Sequence, residues 1–286
     1  MPGQALIMEK QLLEYCLHQH RNIGHYLNLC IECAEAESVH QLRVSIKKFR
    51  TVNKILGYLI PESSDENARQ LAMLRRLFKL AGKLRDAQIQ MKILEEYKSK
   101  LDIDTALLEN LLAANERNTL KKFVSGYAKF SVALDDEPYQ KSGSRILSGS
   151  YDGSFSDKAV GLLNKRIDKT RKAVEHADSD EDLHRVRVLL KQIRYIHGFL
   201  SKQDSFPEGG SESLDGMRNA EILLGRWHDL TVFCDTLKEY TNPKQTKNPD
   251  FLKDVRTLND AVACDIESFR KQAYALLRQS FGFKAA

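Results

Sequence analysis

The stretch VHQLRVSIKKFR at residues 39–50 has an echo, LHRVRVLLKQIR, at residues 183–194. His40 pairs with His184, Arg43 with Arg187, Lys47 with Lys191 and Arg50 with Arg194, at a constant offset of 144 residues (184 − 40). A second pair follows in the same order. LAGKLRDAQ at residues 80–88 matches LLGRWHDLT at residues 223–231, so Gly82 pairs with Gly225 and Asp86 with Asp229 at an offset of 143 (229 − 86). One such match arises readily by chance. Two in register at almost one spacing do so far less readily. The chain therefore reads as a tandem duplication, which restricts the fold to two copies of one unit.

That unit is helical. Apolar residues recur at helical spacing in eight segments, and none of the six prolines interrupts a long periodic stretch. The segments run from about residue 4 to 33, from 38 to 60 where Pro61 stops the second, from beyond PESSDEN to 98, and from 105 to 130. After a turn-rich stretch they resume near 155, near 182, from 213 to 240, and from 251 to 279. The expectation is an all-α domain spanning 1–286: two four-helix bundles, residues 4–134 and 155–282, joined by a linker at 135–154 and related by a pseudo-two-fold. Short connections favour antiparallel neighbours within each bundle.

The repeated helix is two-faced. At 100° per residue His40, Arg43, Lys47, Arg50 and Lys54 fall within an arc of roughly 80°. Leu42, Ile46, Phe49, Asn53 and Leu56 lie opposite. In the second copy His184, Arg187, Lys191 and Arg194 are opposed by Val186, Leu190 and Ile193. A solvated helix face usually mixes signs, with acids placed to pair with lysines. No acid occurs from Val39 to Ile60. Like charges at this spacing repel by about a few tenths of a kcal/mol per pair. A cation column that lacks acids and occurs twice implies an anionic partner, and Arg forks and Lys point charges both suit phosphate oxygens. Ser38 with Gln41 has the form of a capping box, which would set His40 in the first helical turn beside free N–H groups. Arg76, Lys79 and Lys83 add a cationic face further on, beside Arg75 and Arg85. The later counterpart keeps Arg218, Arg226 and His228. With a pseudo-two-fold the two stripes would line one groove.

Net charge is +5, from 44 Lys and Arg against 39 Asp and Glu, too small an excess to decide anything by itself. Five cysteines without framework spacing point to reduced thiols and a cytoplasmic location. The N-terminus shows no signal-peptide pattern, and no apolar run reaches the ~20 residues that span a bilayer.

The ordered motifs resemble the CHAD family, the conserved-histidine α-helical domain. The likeness rests on His40-x-x-Arg43-x-x-x-Lys47-x-x-Arg50 with LAGKLRDAQ, then on His184-x-x-Arg187-x-x-x-Lys191-x-x-Arg194-Tyr195 with LLGRWHDLT, and covers about residues 4 to 280. The resemblance implies two four-helix bundles, a basic surface or channel, and non-enzymatic binding of inorganic polyphosphate, often at polyphosphate granules. It carries His40, Arg43, Lys47, Arg50, Arg85, His184, Arg187, Lys191 and Arg194 over as phosphate contacts. Charge and helix phase add Lys54, Arg76, Lys79, Lys83 and Arg226, with His228 in the position of Arg85. Asp86 and Asp229 match the family's acidic position and are expected to orient a neighbouring Arg or His or to form a structural ion pair. The second copy departs in having His228-Asp229 for Arg-Asp and Gly198 in the place of Lys54. The first copy therefore contributes more charge.

Other readings fit less well. A metal-dependent phosphohydrolase would use His184, His228 and Asp229, but Arg85 stands where His228 repeats, and a cation ligates no metal. A nucleic-acid binder would share the charge, yet the stripes lack the regular aromatic interleaving that stacks bases. Cys30-x-x-Cys33 has no second pair to complete a zinc or redox motif. Some CHAD domains accompany a triphosphate tunnel enzyme with a Glu-x-Glu-x-Lys strand, but Val39 follows Glu35 and Glu37 where Lys is needed. No cofactor or metal is expected. Gly82 and Gly225 interrupt helical patterns at a cost of about 1 kcal/mol each, which close helix packing would explain, the alternative being a kink that turns Arg85 toward the ligand.

Overall fold

The computed structural model describes residues 2–59, 68–131, 155–201, 211–242 and 246–283. The expected linker at 135–154 lies outside them. The described residues form eight helices: α1 (Pro2–Glu32), α2 (Ala36–Leu59), α3 (Ala68–Lys98), α4 (Ala106–Ser131), α5 (Phe155–Glu175), α6 (Asp180–Leu200), α7 (Ser211–Tyr240) and α8 (Pro249–Ser280). The all-α expectation holds, and each helix begins and ends within a few residues of its predicted limits.

Local chemistry sets several starts. Asn248 caps α8: its side chain accepts from the N–H groups of Asp250 (3.1 Å) and Phe251 (3.2 Å), with Pro249 in the first turn. Before α6 the Ser179 hydroxyl accepts from the Asp182 N–H at 3.2 Å and donates to its carboxylate at 2.6 Å. The start of α2 differs from expectation. Ala34 takes a left-handed turn (φ 50°), and the Glu35 carbonyl already accepts from the Val39 N–H at 3.1 Å. The helix thus opens at Ala36, two residues before Ser38, which is buried inside it. Gln41 donates instead to Glu37 at 2.6 Å. No Ser38 capping box forms, and His40 stands in the second turn.

The residues divide into two compact units. One comprises the described residues of Met1–Arg85, Thr119–Ile167 and Gln192–Pro207. The other comprises those of Asp86–Asn118, Asp168–Lys191 and Glu208–Ala286. Each unit draws on both halves of the sequence, and α3, α4, α5 and α6 contribute residues to both.

In the first unit α1 and α2 pack through Leu12, Ile23 and Leu27 with Leu42, Ile46 and Phe49, all fully buried. Burying each such side chain contributes about 1.5–3 kcal/mol. His20 packs at a tilt against Phe49 with ring centroids 5.4 Å apart, and the Asn53 amide donates to the Phe49 carbonyl at 3.1 Å. Leu42, Ile46, Phe49 and Asn53 are residues the sequence placed opposite the cations; Leu56, the fifth, lies outside the described side chains. In the second unit a core of Ile93, Tyr97, Leu112, Phe233, Val255 and Leu258 joins α3, α4, α7 and α8. Its edge is pinned by the Tyr97 hydroxyl, which donates to Asp265 at 2.5 Å. Of the cysteines, Cys16, Cys30 and Cys234 are buried, while Cys33 and Cys264 are exposed. Burial, then the nearby Cys33, pushes the Cys30 thiol up to about 12.

Candidate functional site

Because the apolar face of α2 is consumed by α1, its cations are left on the other side, where α3 meets them. Arg43 is held hardest. Its guanidinium lies over the Phe78 ring, 4.5 Å from the centroid, and its Nη1 donates to the Phe78 carbonyl at 3.4 Å. One turn along α3, Gly82 is buried against the same guanidinium: a Cβ there would collide with Arg43 Nη1. Lys47 and Arg50 also reach the Phe78 ring, at 5.5 and 5.9 Å. Three cations therefore converge on one turn of α3. Gly82 packs closely, as expected, but against a side chain of the site. Gly225 has open space where a Cβ would stand, so close packing does not account for it.

Around this centre the charge is concentrated. His40 is half-buried, and its imidazole is held below the usual histidine range by burial first and then by Arg85; Lys47 and Arg43 act in the same sense and Glu37 opposes them. Arg85 donates to the Ala36 carbonyl at 3.2 Å, tying α3 to the start of α2. Arg50 is lowered by burial and Arg75. Lys54, on the exposed side, is lowered by desolvation and then by Arg50, Arg166 and Arg75. Arg166, from α5, was absent from the predicted set. Arg76, Lys79 and Lys83 are exposed on α3. Arg194, also in this unit, lies over its neighbour Tyr195 at 4.9 Å and donates to the Tyr195 hydroxyl at 3.2 Å.

In the second unit two of the positions matched in sequence come together. His184 packs against His228 with ring centroids 5.1 Å apart, as their counterparts His40 and Arg85 lie together in the first unit. Burial lowers the His184 pKa, and Arg187 and Lys191 lower it further. Trp227 is buried beside His228, 6.2 Å between centroids. Arg226 forms an ion pair with Glu96, 130 residues away in the chain, so its charge has a partner within the protein. Asp229 is partly buried and Asp86 exposed. His184 and His228 come together, but among the described residues no three of His, Cys, Asp or Glu gather where they would share a metal ion. Nor is any described helix long and apolar enough to cross a membrane.

Sequence reasoning missed Phe78, Arg166 and Glu96. Phe78 lies two residues before the second motif and reads as a core aromatic. Only the meeting of α2 with α3 gives it another role.

Known proteins share this fold. The family described as the CHAD domain matches residues 18–238. The crystal structure of the CHAD domain from the plant Ricinus communis superposes with a TM-score of 0.72 at 18% identity, covering 98% of this chain and 93% of that one. PptA from Streptomyces chartreusis gives a TM-score of 0.63 at 14% identity, covering 96% and 99% respectively. No curated protein matches the chain.

Proposed function

The chain belongs to the CHAD domain family, and we propose that it binds inorganic polyphosphate through its cationic helix faces and performs no chemistry on it. The observation that carries this reading is the convergence of Arg43, Lys47 and Arg50 on one turn of α3 while the far side of α2 is buried. Such an array attracts a ligand with closely spaced negative charges. His40, Lys54, Arg76, Lys79, Lys83 and Arg85 extend it along α2 and α3. Arg187, Lys191, Arg194 and the His184–His228 pair supply the contacts of the repeated motif. Arg226, held by Glu96, contributes least. Binding is electrostatic and releases counterions, so affinity falls steeply with salt. Association with polyphosphate granules in the cytoplasm would follow from the ligand.

The test is titration calorimetry with polyphosphates of several lengths, on wild type and on Arg43→Ala/Arg187→Ala. The double variant should lose at least tenfold in affinity, about the effect of 1.4 kcal/mol. Unchanged affinity in a folded variant would sink the assignment. Preference for an oligonucleotide at equal phosphate concentration would favour nucleic-acid binding. Release of orthophosphate, abolished by chelation, would favour a hydrolase.

A further inference from the structure

The cations of α2 share an aromatic neighbour that the family motif does not include. Arg43, Lys47 and Arg50 stand 4.5, 5.5 and 5.9 Å from the Phe78 centroid, within the reach of about 6 Å at which a ring attracts a cation. These side chains repel one another, which favours their spreading apart. The ring's negative face opposes that spreading without adding a formal charge that would compete with an anion. A carboxylate in its place would hold the cations too, but would neutralise them. At the offset of 143 the residue standing for Phe78 in the second copy is Glu221, which is buried (7% exposed), so no ring occupies that position there.

We propose that Phe78 is a positioning residue, one that gathers Arg43, Lys47 and Arg50 into a ready-made array for successive phosphates of one chain. The assignment rests on the polyphosphate reading above. By this role Phe78 touches no phosphate. It acts through the three cations, lowering the ordering that ligand binding would otherwise demand of them. Gly82, four residues on along the same α3 face, completes the seat by leaving room for the Arg43 guanidinium.

The test uses the full chain with long-chain polyphosphate as the probe. Phe78→Leu keeps an apolar side chain and removes the ring; affinity should fall about tenfold, because ligand binding must then order the three cations itself. Phe78→Tyr keeps the ring and should stay within about twofold of wild type. Should Phe78→Leu fail to fold, trifluorophenylalanine at position 78 preserves the shape while depleting the ring face, and affinity should drop in the same direction. In the ligand-free protein, NMR should show the Arg43 and Lys47 methylene protons shifted by the ring current, and that shift should vanish in Phe78→Leu. Wild-type affinity in folded Phe78→Leu, or failure of Phe78→Tyr to restore binding, would overturn the role alone. No binding by the wild-type protein would overturn the function and the role together, and is told apart by that wild-type titration.

Discussion

The Arg43 guanidinium occupies the space that a side chain on Gly82 would need. A glycine in the middle of α3 costs helix stability of about 1 kcal/mol relative to alanine. Here that cost admits a charged group rather than a neighbouring backbone. Gly82→Ala should therefore fold, because the obstacle is the far end of a flexible side chain. Its stability should lie between wild type and about 1 kcal/mol above it. Polyphosphate affinity should fall several-fold as Arg43 is displaced. Gly225→Ala meets nothing within 4 Å and should gain the same stability with binding unchanged. Urea melts and calorimetry on the pair check both halves of this contrast.

Proton uptake should accompany binding. In the free protein His40 and His184 titrate below the ordinary value of 6.5, chiefly through burial. A bound polyanion raises both. The complex then holds more protons than the free protein between the lowered and the raised values. Affinity should increase as pH falls through that window and level off on either side. Calorimetry across the range below pH 6.5 in buffers of different ionisation heat measures the uptake, and His40→Gln with His184→Gln should reduce it. The sign for folding is opposite. The unfolded chain binds these protons more readily, so the empty protein should lose stability as pH drops below 6.5.

Arg226 and Arg43 should separate stability from binding. Arg226 pairs with Glu96, both partly exposed at 28% and 36% of their side chains. Arg226→Met should cost about 1 kcal/mol at most, as exposed pairs do, and leave affinity within about twofold of wild type. Arg43→Ala should instead lower affinity several-fold or more in the same calorimetric assay. A large affinity loss in Arg226→Met would return this residue to the ligand-binding set.

Ala34 is the described non-glycine residue with a positive φ, at 50°. Glycine adopts that conformation without a Cβ penalty, so Ala34→Gly should raise stability by about 0.5–1 kcal/mol in denaturant unfolding. A loss would mean that the α1–α2 turn tolerates alanine without strain.

Much of this fold could be read from periodicity and punctuation. Pro61 and the turn-rich stretches bracket the helices, and Leu42, Ile46 and Phe49, placed by phase on the apolar side of α2, are buried. The start of α2 could not be read in that way. Ser38 and Gln41 satisfy a local pattern, but the left-handed turn at Ala34 reverses the chain earlier and commits Ser38 to the helix interior. The cations themselves were legible because the repeat marks them. Phe78 and Glu96 were not. Their roles depend on which helix faces meet, and Glu96 reaches Arg226 across 130 residues of chain. A pairwise relation at that separation leaves no trace in local spacing.

The uneven burial of the cysteines makes the fold countable by mass. Cys33 and Cys264 are exposed, one in each compact unit, and Cys16, Cys30 and Cys234 are enclosed. A brief pulse of an alkylating reagent should add two labels to the native chain and five to an unfolded one. Intermediate numbers, assigned by peptide mapping, would say which unit has opened: Cys16 and Cys30 report on the first, Cys234 on the second.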